Sequence, residues 1–218
     1  MQAEIVSKRK WARWLGVLCL FLPLSVAFAA QGPIEMLKGV TDAVLAQLRS
    51  HQDELKAHPD RIYGIAEHSI IPHVDFVEMG RWIAGRNAWK KASESDQAAF
   101  IAAFKTLVVR TYATSLLQYT DQTVEFMPLK SSTEKERLQV TSYINGGDRG
   151  PIKMDYRLIK QGAEWLVYDI VIEGVSLLKG YQAQFSADVR QQGLNYVTNK
   201  IKAHNGQGRS RQSNSKGD

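Results

Sequence analysis

Between Gln97 and Tyr119 the chain carries a helical pattern with almost no wet side. Ala99, Phe100, Ile101, Ala103, Phe104, Leu107, Val108, Val109, Tyr112, Leu116 and Leu117 lay apolar surface around most of its circumference, and only Thr106, Arg110, Thr114 and Gln118 form a consistent polar stripe. Such a helix has to be covered on two sides, so the rest of the chain must wrap it. Ser93-Glu94-Ser95-Asp96, just ahead, supplies its N-cap. A chain of 218 residues can do this in one domain with a substantial core. With 44% hydrophobic and 23% charged residues, disordered, collagen-like and disulfide-scaffold classes are excluded.

Upstream, Ile34, Leu37, Val40, Val44, Leu45 and Leu48 recur at helical steps through Ile34–Leu55. His58-Pro59-Asp60 stops that helix and starts a second, which Pro72 closes; a third spans Asp75 to Ile83 and ends at Gly85, with Trp82, Ile83 and Trp89 flanking the central helix. After Tyr119 the period changes from 3.6 to 2. Thr123–Met127, Arg137–Asn145, Ile152–Leu158 and Trp165–Ile172 read as strands, joined by Asn145-Gly146-Gly147-Asp148 and Lys160-Gln161-Gly162 as turns. Leu138, Val140, Ile144, Ile152, Met154, Tyr156, Leu158, Leu166, Tyr168, Ile170 and Ile172 fall on one face by alternation. Helical spacing resumes through Tyr181, Phe185 and Val189, then Leu194, Val197 and Ile201. The expectation is an α+β fold, an antiparallel four-stranded curved sheet packed against a set of helices. One domain covers 30–203, with helices in 33–119, the sheet in 122–173 and helices in 176–203; from His204 apolar periodicity ends, so 204–218 is expected to be a disordered basic tail.

Residues 1–29 read as an address. Lys8-Arg9-Lys10 and Arg13 precede an apolar stretch, Trp14 to Phe28, that ends in Ala27-Phe28-Ala29: a cleavable secretory signal peptide. The stretch contains Pro23 and is shorter than the roughly 20 residues of a spanning helix. Leu18 is too large to precede a lipidated Cys19. Cys19 is the only cysteine and lies inside the leader, so the mature chain has no thiol chemistry, and a cysteine-free exported chain fits a bacterial periplasm. The net charge of +6 divides evenly between the leader and residues 202–218, leaving the body near zero. A basic nucleic-acid face on the folded part is not indicated.

Catalytic motifs fail on named residues. Gly174-Val175-Ser176-Leu177-Leu178 sits where a nucleophile elbow would lie, but Leu178 replaces the second glycine; a strand-to-helix turn with Ser176 as a cap fits better. Gly146, Gly147 and Gly150 lack the Lys-Ser/Thr of a phosphate loop. His51, His58, His68, His73 and His204 show no metal-ligand spacing, so no metal or cofactor is expected. An acid–base pocket of Asp155 or Asp169 beside Tyr156 or Tyr168 is the best enzymatic alternative; an isomerase of this kind would lose its turnover in Asp169→Asn. A plain periplasmic adaptor with a filled core is the other.

Asp75-Phe76, Met79, Arg81, Gly85, Trp89, Ala92, Gln97, Phe100, Phe104, Leu107 and Tyr112 stand in an order that resembles the MlaC family, periplasmic phospholipid carriers of the maintenance-of-lipid-asymmetry pathway, also called toluene-tolerance auxiliary transport proteins. Trp165-Leu166-Val167-Tyr168-Asp169-Ile170, Glu173-Gly174-Val175-Ser176, Tyr181 and Phe185 extend the resemblance from about Pro33 to Ile201. The resemblance implies a sheet and helices enclosing a deep apolar cavity, phospholipid as cargo, no enzymatic activity, and handover between an inner-membrane lipid ABC transport complex and an outer-membrane lipoprotein–porin complex. On that reading Met79, Trp82, Phe104, Val108, Tyr112, Val140, Met154, Tyr156, Tyr168 and Ile170 line the acyl cavity, with Arg81 or Arg110 near the phosphate.

Overall fold

The structure is a computed structural model that describes residues 31–118, 122–130, 132–146 and 150–214. The leader, 1–29, lies outside the described residues, as do Tyr119 and the end of the tail, 215–218. The first helical stretch divides into α1 (Pro33–Ser50) and α2 (Gln52–Ala57), broken at His51, where ψ turns to 21°. A 3-10 turn through Pro59 leads into α3 (Ile62–Ser69), and a second through Pro72 ends it. Proline tolerates the first turn of a helix because its missing N–H has no partner there anyway.

Helix α4 (Phe76–Ala84) is capped by Asp75, whose carboxylate accepts the Glu78 N–H at 2.9 Å. Gly85, at φ +77°, ends it in a conformation that favours glycine. The short α5 (Arg86–Lys91) was not legible from periodicity. Ser93 then caps α6 (Glu94–Tyr112), the expected central helix, which tightens into 3-10 geometry over Ala113–Gln118.

The strands are β1 (Thr123–Phe126), β2 (Arg137–Asn145), β3 (Ile152–Gln161), β4 (Glu164–Ile172) and β5 (Val175–Ser176), in sheet order β1-β2-β3-β4-β5 with every ladder antiparallel. The sheet therefore has five strands, where four were expected. The fifth follows a two-residue turn, Glu173 at φ 48° and Gly174 at φ 84°, between the paired Ile172 and Val175. Two successive positive φ angles suit the right-handed twist of a hairpin. Ser176 then caps α7 (Leu177–Gln192), and α8 (Leu194–Asn214) follows after Gly193. Helix α8 runs past His204, where the fold was expected to end. Asn205 explains this: its side chain donates to the Ala103 carbonyl at 3.0 Å, and its own carbonyl accepts from Arg110 at 2.9 Å.

A register shift lies between Arg157 and Leu158 on β3, where Arg157 pairs with Asp169 but Leu158 pairs with Val167. Tyr168 is thus an extra residue in β4, and the alternation inverts across it. Trp165 and Val167, rather than Leu166 and Tyr168, share a face with Leu158, which corrects the expected face of this half-strand. Helix α1 covers that face: Met36 and Leu37 pack with Leu138, Val140, Leu158, Trp165 and Val167. Helix α7 meets the other face through Asp169.

Three clusters make the core. The largest joins α4, α6, α7 and α8 around Phe100 and Phe104, both with no exposed surface. The second is the α1–sheet cluster, and the third joins α1, α2 and α3 to the other side of α6 through Val109 and Ala113. Helix α6 is covered from two sides, as its circumference requires.

Gly80 on α4 faces the Trp89 ring; a Cβ there would lie 2.9 Å from the ring edge, whereas at Gly64 on α3 it would meet nothing within 4 Å. Gly80→Ala is expected to cost about 1–3 kcal/mol through overpacking. Gly64→Ala is expected to add about 0.5–1 kcal/mol of helix stability. Urea denaturation of the two variants should move the midpoints in opposite directions.

Candidate functional site

The ten expected cavity residues do not form one group. Met79 and Phe104 are buried in the helical cluster, with Val108, Tyr112 and Tyr168 packed against it. Val140 belongs to the α1–sheet cluster, with Tyr156 and Ile170 packed against it. Met154 is half-buried, and its sulfur lies 3.8 Å from the Tyr156 hydroxyl that donates to it. Tyr168 parts from Tyr156 and Ile170 because of the bulge. Trp82 departs from expectation altogether: it is 46% exposed, and its indole N–H donates to Glu78 at 3.1 Å.

The inner face of the sheet is built in rows across the strands. Leu138, Leu158 and Val167 form the first, and all three are buried under α1. Val140, Tyr156 and Ile170 form the second. Ser142, Met154 and Ile172 form the third, and Val124, Ile144 and Ile152 the fourth. Cover is uneven along this direction, with Ser142 and Ile144 buried. Val124, Ile152, Met154 and Ile172 are only half-buried and join none of the three clusters. Ser142, fully buried, donates its hydroxyl toward the Tyr156 hydroxyl at 3.5 Å, a polar pair in the middle of an apolar face. The alternation in β2 to β4 marks Ile144, Ile152 and Ile172 as inward; that Ile152 and Ile172 stay outside every packed cluster is a tertiary fact with no sequence signal.

The acids are committed elsewhere. Asp169 has no exposed side-chain surface and pairs with Arg157 at 2.8 Å. It also accepts from the Ser176 hydroxyl at 2.7 Å and from the Leu178 N–H at 2.9 Å. Ser176 in turn accepts the Lys179 N–H at 3.1 Å, so it is a helix cap held by an acid, not a nucleophile. Burial pushes the Asp155 carboxyl up. Hydrogen bonds from Thr141 and Lys153, together with the charges of Lys153 and Arg157, outweigh that and hold it below the usual carboxylate range. A general acid would need the opposite shift. Glu78 pairs with Arg137 at 2.6 Å and with Arg81 at 3.7 Å, and Arg137 lies 4.9 Å over the Tyr168 ring. Of the two expected phosphate partners, Arg81 thus shares Glu78, and Arg110 is bound to α8. Among the described residues no group of three or more His, Cys, Asp or Glu side chains could hold a metal.

Two cavities open away from the sheet's inner face. One of about 540 Å³ lies among the ends of α6, β5, α7 and α8, and takes in Tyr112 alone of the expected residues. There the Tyr181 hydroxyl is pushed up by burial and by its hydrogen bond with Tyr112. The other, about 1040 Å³, is a groove between the α4–α5 junction and α7 and α8 that contains none of the ten.

A family model described as MlaC protein matches residues 38–203. The chain belongs to the MlaC family. Its match runs from within α1 through the sheet and α7 into α8, close to the span from about Pro33 to Ile201 over which the sequence resembles that family. Among relatives within the reach of the MlaC pattern, the toluene tolerance protein ttg2D of Pseudomonas putida is 27% identical over 83% of each chain. The intermembrane phospholipid transport system binding protein MlaC of Haemophilus influenzae is 23% identical over 91% of this chain and 94% of its own. A phospholipid-binding protein from Ralstonia solanacearum, solved in complex with a phospholipid, superimposes with a TM-score of 0.71 and 30% identity, over 82% of this chain and 97% of that one.

Two substitutions test the assignment of the acids. Asp169→Ala leaves Arg157 and the α7 N-terminus without their acceptor and is expected to cost about 3–5 kcal/mol in urea unfolding. For Asp155, a folded-state value depressed below 3.8 means that its stabilisation is present above that pH and is lost as the pH falls through the lowered value. Asp155→Asn should therefore be less stable at neutral pH, with a shallower acid limb in a plot of urea midpoint against pH.

Proposed function

We propose that this chain is a periplasmic phospholipid carrier whose acyl chains cover the far rows of the sheet's inner face. The observation that carries this is the set Val124, Ile152, Met154 and Ile172: half-buried apolar side chains, aligned on one face, outside every packed cluster. The bound phospholipid in the Ralstonia solanacearum neighbour and the transport role named for the Haemophilus influenzae relative support the same cargo. In this reading Met154, Tyr156 and Ile170 touch acyl chains directly, and Val140, packed under α1, closes the near end of the surface. Met79, Phe104, Val108, Tyr112 and Tyr168 sit in or against the helical cluster instead and take no part in this surface. Trp82 is left out.

The energetics suit carriage rather than catalysis. Two acyl chains hold on the order of 25 to 30 methylenes at ~0.8 kcal/mol each against water, so a carrier must offer nearly the apolar contact of a bilayer, and not much more, or release fails. The reading includes export by the leader, removal of that leader, and handover between an inner-membrane lipid ABC transport complex and an outer-membrane lipoprotein–porin complex.

Native mass spectrometry of the purified mature protein, followed by solvent extraction, should reveal a diacyl phospholipid near one per chain. Met154→Trp, placed in the third row, should lower that occupancy while leaving the circular dichroism spectrum and a cooperative urea transition intact. Lipid-free protein that stays so after incubation with vesicles would sink the carrier reading. Global unfolding of Met154→Trp would mark the third row as solid core.

A further inference from the structure

The groove of about 1040 Å³ carries a charge pattern that the lipid reading does not use. Arg86 and Lys91 line it from α5, and Lys179 and Arg190 from α7. None of the four takes part in the salt bridges formed among the described residues. The one acid on its wall, Asp96, is held below the usual carboxylate range by hydrogen bonds from Ser93 and Asn195. Ile83, Val189 and Leu194 also line the groove, giving it apolar as well as basic surface. Next to it on α4, Trp82 is 46% exposed, and Gln182, a groove residue, donates to its backbone carbonyl at 2.8 Å. This concentration of positive charge occurs on a body whose net charge is close to zero, so it is local rather than a share of a general excess.

We infer that this groove is a docking site for an acidic, partly apolar segment of a partner protein. Charge complementarity selects an anionic occupant, and four cations outside the salt bridges of the described residues provide it. Shape selects among anions. A flat bilayer surface cannot enter a concave channel between helices, and a single headgroup would occupy only part of a space at the top of the usual range for small-ligand sites, roughly 300–1000 Å³. A protruding helix or strand with acidic and aliphatic side chains meets both the cations and the apolar lining. The inference does not depend on the lipid reading, because the groove shares no residue with the proposed acyl surface.

The test uses the mature full-length protein and a fluorescein-labelled acidic peptide with glutamates on one helical face and leucines on the other. Fluorescence anisotropy should show binding that weakens as salt is raised. The double variant Lys179→Glu/Arg190→Glu should weaken it about tenfold or more. A control reversal on exposed sites away from the groove, Lys38→Glu/Lys202→Glu, should leave it within about twofold. Amide chemical-shift changes on titration should centre on Gly85, Gly193 and Asn195. Three outcomes overturn the inference: no binding at low salt, equal loss in the control reversal, or shift changes centred elsewhere. Capture of the protein by phosphatidylglycerol vesicles through Lys179 and Arg190, without peptide binding, would overturn it in favour of a membrane surface. Urea unfolding of each variant separates lost binding from lost fold.

Discussion

A carboxylate with no exposed surface governs how the two halves of the molecule meet. Burying such a charge costs several kcal/mol unless partners replace the lost water. Asp169 replaces it with the Arg157 guanidinium, the Ser176 hydroxyl and the Leu178 N–H. Those partners come from β3, from the short β5 and from the first turn of α7, so satisfying one charge fixes the strand, the hairpin and the helix together. The position of α7 then sets Tyr181 edge-on to Phe104 at 5.0 Å, and Phe104 stacks with Phe100 at 6.0 Å. Asp75 does the same for α4. It caps the helix with one oxygen, accepts from Gln161 at the end of β3 with the other, and its N–H reaches the Val167 carbonyl at 2.9 Å. Two acids, each at a helix N-terminus, hold the helical layer to the sheet.

That commitment has a functional side. Asp155 and Asp169, which could have served as proton donors or acceptors, are fixed as structural ties. The inner face of the sheet is graded rather than uniform: tightly covered where α1 crosses it, sparsely covered where Met154 and Ile172 lie. On the proposed carrier reading, the packed end supplies stability and the sparse end supplies affinity for a cargo that must leave. Separating the two lets either change without the other.

Much of this was legible in the chain itself. The apolar circumference of α6 required cover on two sides, and the clusters on its two flanks supply it. Strand alternation placed β1 to β3 and gave the right face for Val140, Met154 and Tyr156. The reading failed where a local rule was broken by one residue. The bulge at Tyr168 inverted half of β4, and period-2 counting cannot see an inserted residue. Glu173-Gly174 makes a hairpin turn without the Asn-Gly or Asp-Gly signature, so β5 was missed. Trp82, expected in the cavity wall from its place beside the central helix and the family resemblance, is exposed instead, with only its indole N–H tied to the buried Glu78. Beyond His204 there is no apolar period to follow, and helix continues on hydrogen bonds to α6 that only the folded chain displays. The Glu78–Arg137 pair joins α4 to β2 across a sequence gap that no motif spans.

The pairing of α6 with α8 carries a consequence for how the molecule comes into being. The strands form a meander in which each pairs with its sequence neighbour, so their loops close at small entropic cost. The ties from Arg110 and Ala103 to Asn205 close a loop that contains the whole sheet. Such non-local contacts form late, after chain entropy has already been spent on them. A ribosome delivers α6 long before α8, and for that interval Phe104 and Leu107 lack Val197 and Ile201, their companions in the largest cluster. The nascent chain is therefore stickiest between the delivery of its central helix and its last one, and any factor that shields it in transit has that window to cover.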